Sequence, residues 1–301
     1  EGGRTMNSTL FKKNKRWLIL FAAPAIILFC VIIVIPLFQT LYYSFFEWNG
    51  IKVAAFKGIE NYKKLLHSRE INTSFINSIV YAVFLVVYQV GFGTAFAFIL
   101  TQSKIRGKLI FRNVYFIPVL LSVSVVSQLW IQIYNAEFGL INQLAKALQI
   151  DWSQNWLNQK WTSLFAVAFV ESWKGMGYIM LIIYAGVRNI PEIYNEAASI
   201  DGATAFQKFR YLTLPLAMPT IRVTIVMCMT NGFRAFDTTY LMTGGGPGIF
   251  TYNLTIMMYQ AMIGKNDYGY GSAIAVLIVI VCVGMMYVVN QATRRYDRIY
   301  E

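Results

Sequence analysis

The sequence predicts an all-α, polytopic membrane protein of six transmembrane helices, and three observations carry that expectation. Of its 301 residues, 57% are hydrophobic and 13% charged, where a soluble chain charges roughly a quarter of its residues. Six stretches approach or exceed the 20 or so apolar residues that a membrane-crossing helix needs. The formal net charge of +12 is divided unevenly between alternate connections, as the positive-inside rule requires of a membrane chain.

In chain order, residues 1–16 form a polar tail in which Glu1 to Thr5, ahead of Met6, read as an expression scar. The membrane body covers 17–293. The first span, about 17–38, is too long for a signal peptide and has no small-residue cleavage site after it. Pro24 and Pro36 are expected to kink it, and Pro118 the third span. The second span runs over about 76–101, where Gly91, Gly93, Ala95 and Ala97 are expected to form a small-residue packing face. The remaining spans lie at about 109–133, 161–186, 221–242 and 272–291, and residues 294–301 are a tail.

Orientation follows from charge. With the N-terminus inside, the cytoplasmic segments collect Lys12, Lys13, Lys15 and Arg16, then Lys104, Arg106, Lys108 and Arg112, then Arg188, Lys208, Arg210 and Arg222. The opposite assignment would put most of the basic residues outside, so both termini are expected to be cytoplasmic. Tyr42, Tyr43, Trp48, Trp130, Tyr134, Trp152, Trp156 and Trp161 fall at the outer ends, as an aromatic belt would. Between them, residues 137–159 carry helical spacing and read as a short interfacial amphipathic helix. The basic excess thus encodes sidedness, and no nucleic-acid partner is expected.

Composition also excludes several chemistries. Cys30, Cys228 and Cys282 each sit alone in apolar sequence, and His67 is the one histidine. No zinc cluster or His-based triad can be assembled from these, so no metal or catalytic residue is expected. No GxxxxGK[ST] phosphate loop occurs, and the glycines of 244–247 lack the Lys-Ser/Thr that would follow, which makes them an external turn.

The connection over about 187–220 is the longest cytoplasmic one, and it is patterned. Pro191 suits a first helical turn, Glu196, Ala197 and Ala198 are good helix formers, and Gly202 ends or bends the helix. A second piece over about 203–211 places Phe206, Phe209 and Arg210 at i, i+3 and i+4, and Pro215 with Pro219 is expected to stop it. Its aromatics need either lipid headgroups or a docking partner, and periodicity alone does not choose.

Here the sequence resembles a known family. Glu196-Ala197-Ala198, Gly202 four residues on, and Leu212-Thr213-Leu214-Pro215 reproduce the EAA motif of binding-protein-dependent ABC importer permeases. The stretches GIENYKKLL, FIPVLLSVSVVSQLW, ESWKGMGYIM, FRAFDTTYLMTGGGP and DYGYGSAIAVLIVI look like sugar-uptake permeases related to the maltose and glycerol-phosphate transporters, so the likeness covers the chain from about residue 15. The resemblance implies a type I ABC importer permease fold in a bacterial or archaeal cytoplasmic membrane. It further implies a coupling helix at about 196–211 seated on an ATPase, with Glu196, Ala197, Ala198, Gly202, Phe206, Phe209, Leu214 and Pro215 as its residues. The implied partners are a second, different permease, a cytoplasmic ATPase dimer that binds ATP and Mg, an extracellular solute-binding protein, membrane lipids and a sugar. No cofactor is expected in this chain.

Four ionisable residues remain within spans: Glu171 and Lys174, and Arg234 and Asp237. Each pair is three positions apart, so opposite charges are expected to share a helix face and neutralise each other, either as internal bridges or facing a watery path. Alignment with the maltose-type permease places sugar contacts at Glu171, Lys174, Gly175, Tyr178, Cys228, Gly232 and Ala235, with Asn231 adjacent. Glu171, Cys228 and Ala235 depart from the amides found there. Trp173 and Tyr178 offer faces for sugar C–H surfaces, and Asn231 and Glu171 hydrogen-bonding groups for hydroxyls. An ion-coupled secondary transporter would show repeated halves with broken helices, and a membrane enzyme a nucleophile or metal cluster; the sequence displays neither.

Overall fold

The computed structural model describes residues 19–101 and 107–294. The expression scar, most of the two tails and the loop at 102–106 lie outside the described residues. Four helices are long and apolar enough to cross a membrane: α1 (Ile19–Tyr43), α3 (Arg69–Thr101), α7 (Lys160–Arg188) and α13 (Tyr268–Thr293), the last preceded by the shorter apolar α12 (Leu254–Gly264). Two bent pairs raise the number to six if each pair is one span. The third expected span is such a pair, α4 (Lys108–Leu120) and α5 (Val123–Ile133), set at 99°. Pro118 does more than kink it, because the helix stops two residues later and Ser122 starts a new one by accepting the Val125 N–H at 3.3 Å. The other pair is Ala205–Leu216 (α9) and Met218–Thr243, bent by 70°. The latter divides into α10 (Met218–Phe233) and α11 (Asp237–Thr243) around residues 234–236. By contrast, α1 runs through both its prolines as one helix, with a π-helical turn at Cys30–Val34 ahead of Pro36.

The chain is not wholly helical. Phe46–Trp48 (β1) and Val53–Phe56 (β2) pair antiparallel after the first span. Asn49 turns the hairpin, its side-chain oxygen accepting the N–H groups of Ile51 and Lys52 at 3.1 and 2.9 Å, and Gly50 supplies φ +90°. The short helix α2 (Glu60–His67) locks onto it through buried Asn61, which donates to the carbonyls of Ser44 and Phe46 at 2.9 and 3.0 Å. The outer aromatics gather into ring contacts, Trp48 on Tyr43 at 4.1 Å and Trp156 on Tyr134 at 5.5 Å. The amphipathic helix expected within 137–159 is α6 (Leu140–Ala147).

The core lies where α3, α7 and α10 cross. Gly93 and Ala97 bury against α7, and a Cβ on Gly93 would stand 3.3 Å from the Met180 backbone nitrogen. Gly91 and Ala95 are exposed, because a two-residue spacing turns a helix by about 200° and cannot hold four residues on one face. Gly232 presses α10 onto α3 so closely that an added Cβ would meet the backbone of Ala82. These glycines let three spans approach at backbone distance.

Candidate functional site

Two groups of residues carry the functional expectation. The first is the loop after α7, folded as α8 (Glu192–Ile200) and α9, whose middle is π-helical over Phe209–Thr213. The segment is two helices separated at Gly202, as the sequence pattern predicts, and the Gly202 φ of +75° suits glycine. Thr204 opens α9 with a capping box, accepting the Gln207 N–H at 3.3 Å while the Gln207 side chain accepts the Thr204 N–H at 2.8 Å. The helix runs one residue past Pro215 and ends at Leu216, between Pro215 and Pro219, where the chain bends by 70°. The π-helical turn ahead of Pro215 rearranges the backbone bonding that the missing N–H would otherwise interrupt.

Glu196, Ala197, Gly202 and Phe206 are exposed, and Ala198 is half-buried. Phe206 and Phe209 do not share a face. Phe206 is 67% exposed, while Phe209 lies against Phe98 of α3 at 4.6 Å between ring centres. Leu214 packs partly on the core and Pro215 is half-buried, so this end of the motif anchors the segment. Lys208, which the pattern did not single out, ties α9 to α8 by donating to the Ser199 hydroxyl and, at 3.4 Å, to the Asn195 carbonyl. A cleft of about 470 Å³ opens beneath, lined by Phe98, Thr101, Arg188, Glu192 and Lys208 among others. Ile193, Ile200 and Tyr211 are also exposed, so α8 and α9 present apolar side chains with nothing over them among the described residues.

The second group sits inside the spans. Glu171, half-buried on α7, does not pair with Lys174 although both stand on one continuous helix. Its carboxylate instead accepts the hydroxyl hydrogen of Thr238, in the first turns of α11. Arg234 and Asp237 do not pair either. Three positions bring side chains together only along an unbroken helix, and here α10 ends at Phe233 and α11 begins at Asp237. Both are exposed, as is Asn231.

Gln89 joins this group unannounced. It is 4% exposed in a π-helical turn of α3, Val86–Val90, donates to the Glu171 carbonyl at 3.2 Å and accepts the thiol hydrogen of buried Cys228 at 3.3 Å. One amide thus links α3, α7 and α10. A lone amide deep in an otherwise apolar span was the signal that sequence reasoning passed over. Gly175 lies under it, since a Cβ there would come within 2.6 Å of its Nε2.

Of the expected sugar contacts, Glu171, Lys174 and Tyr178 on α7 remain accessible, with Tyr178 45% exposed. Trp173 packs edge-on against Trp130 at 5.5 Å, and Gly232 is buried under Ala82, so both serve packing. Among the described residues no group of His, Cys, Asp and Glu is arranged to hold a metal ion.

Residues 74–298 match the family described as binding-protein-dependent transport system inner membrane component. The probable ABC transporter permease protein YurN of Bacillus subtilis (strain 168) is 34% identical over 92% of this chain and 95% of its own length. The multiple sugar-binding transport system permease protein MsmF of Streptococcus mutans serotype c is 33% identical over 89% of this chain and 92% of its own. Among solved structures, a chain of a bacterial alginate ABC transporter, crystallised in complex with its alginate pentasaccharide-bound periplasmic protein, superposes with a TM-score of 0.79. That likeness, at 19% identity over 95% of this chain and 97% of that one, shows a shared fold. The match spans most of the chain and includes the EAA loop, α7 and the broken helix of α10 and α11, and the chain therefore belongs to the binding-protein-dependent transport system inner membrane components, the permeases of ABC transporters.

Proposed function

We propose that the chain is one permease of an ATP-driven carbohydrate importer, forming half of the translocation path with a second, different permease. On this reading there are six spans, each bent pair counted as one, so that both termini and the α8–α9 segment share a side, and the excess of basic residues assigns that side to the cytoplasm of a bacterial or archaeal cell. The observation that carries the reading is the bare apolar surface of α8 and α9, rooted in the core through Phe209 and Leu214. A short two-helix segment that leaves Ile193, Ile200 and Phe206 uncovered needs a partner surface. A surface groove of an ATPase provides one, and closure of two such ATPases, driven by the ATP and Mg they bind, would tilt the spans through this segment. A solute-binding protein delivers substrate outside, a reading supported by the alginate transporter's complex with an alginate pentasaccharide-bound periplasmic protein.

Carbohydrate as the cargo class rests on relatives named for sugar transport, including MsmF and a starch degradation products permease of Thermoanaerobacterium thermosulfurigenes. The residues fit: Tyr178 supplies an exposed ring face, and Asn231, Glu171 and Asp237 supply hydroxyl partners. A second reading, an acidic uronate oligosaccharide or glycerol phosphate, is favoured by Lys174 and Arg234, which have no carboxylate partner among the described residues. The test is ATPase activity of the co-expressed transporter with its binding protein, across neutral and uronic oligosaccharides and glycerol phosphate. Stimulation by an oligosaccharide supports the carbohydrate reading; stimulation by none of them, with an active ATPase, contradicts it.

A further inference from the structure

At the end of the bundle that carries α8 and α9, a second cleft of about 210 Å³ is lined by Leu100 of α3, Lys108, Leu109 and Arg112 of α4, and Tyr184 of α7. Lys108 and Arg112 stand one helical turn apart and are half-buried. Neither makes an ion pair or hydrogen bond with any described residue, and the Tyr184 hydroxyl is equally free of a described partner. No Asp or Glu occurs in the sequence between Glu70 and Glu137. Lys104 and Arg106 add to the positive balance of the same connection. Two partly desolvated cations without a carboxylate are unfavourable unless an anion is supplied from outside.

The neighbours of these cations show what kind of anion fits. Leu109 lines the cleft and is 61% exposed, and Ile110 beside it is 70% exposed. Apolar side chains left bare on the same turn as unpaired cations match the boundary between headgroups and hydrocarbon better than water. We propose that this cleft binds the headgroup phosphate of an anionic phospholipid. Lys108 and Arg112 meet the phosphate oxygens, Tyr184 donates a third hydrogen bond, and Leu100 and Leu109 lie against the glycerol and upper acyl chain. The bound lipid would bridge the start of α4 and the end of α7, one turn before Arg188 and the cleft under α8.

The experiment needs only the full chain, purified in detergent, so its failure leaves the import reading standing. Native mass spectrometry with equimolar phosphatidylglycerol and phosphatidylcholine should show phosphatidylglycerol retained in preference. The preference is expected on the order of thirtyfold, the fold-change given by two surface cations at about 1 kcal/mol each. The double variant Lys108→Gln with Arg112→Gln should lose that preference, the charge-keeping pair Lys108→Arg with Arg112→Lys should keep it, and Lys146→Gln on the other side should change nothing. Equal retention of both lipids by the parent chain overturns the proposal, as does undiminished phosphatidylglycerol binding in the double variant. Displacement of the lipid by millimolar inorganic phosphate also overturns it, by identifying a soluble anion as the ligand. This competition uses the parent chain alone and decides the matter should the double variant aggregate.

Discussion

The Glu171 carboxylate accepts the hydroxyl hydrogen of Thr238, so the single acidic group within α7 is held by the helix that follows the break after α10. Its backbone carbonyl is held from the other side by Gln89. Glu171 is therefore the point at which α3, α7 and α11 are joined by polar contacts rather than by packing, and movement of α11 against α7 must break or carry that bond.

Replacing Thr238 by Val keeps the shape and removes the donor. A half-buried carboxylate then loses a hydrogen bond, at a cost of about 1–3 kcal/mol. The expected outcome is a lower melting temperature of the purified protein, restored by Thr238→Ser, which returns the hydroxyl. Equal melting of Thr238→Val and the parent would mean that the bond does not hold α11 in place.

Two glycines separate close approach from mere helix composition. Gly232→Ala forces a methyl group into the Ala82 backbone and should destabilise by about 1–3 kcal/mol or more. Gly91→Ala meets nothing within 4 Å and should be neutral or up to about 1 kcal/mol more stable. Thermal unfolding of the two variants in the same detergent measures the contrast.

Phe206 and Phe209 make a similar pair on the α8–α9 segment. Phe209→Ala removes the ring that lies on Phe98 and should cost about 1–2 kcal/mol of stability. Phe206→Ala touches an exposed ring and should leave melting unchanged while weakening co-purification of the ATPase. The opposite pattern would mean that Phe206, not Phe209, roots the segment.

Much of this fold is legible in the sequence because lipid is an undemanding solvent to read: long apolar runs announce α1, α3, α7 and α13, and α7 was placed within two residues of its ends. The helices of the α8–α9 segment are legible from Pro191, Gly202 and the helix formers between them. The hairpin was missed although Asn49-Gly50 between Phe46–Trp48 and Val53–Phe56 is a turn signal, because the hydropathy profile outweighed it. The partners of Glu171 were beyond local reading. Spacing along one helix favours Lys174, but a continuous neighbour in sequence does not compete with a hydroxyl delivered by another helix. The break at 234–236 likewise made Arg234 and Asp237 look paired when no helix joins them.

The central claim, that α8 and α9 transmit the work of an ATPase to the spans, is most directly tested by deleting 196–209 and measuring ATP-dependent sugar uptake into vesicles. The expected result is loss of uptake and of ATPase co-purification, with the protein still inserted in the membrane at parental levels. Uptake that persists in the deletion at near-parental rate would contradict it.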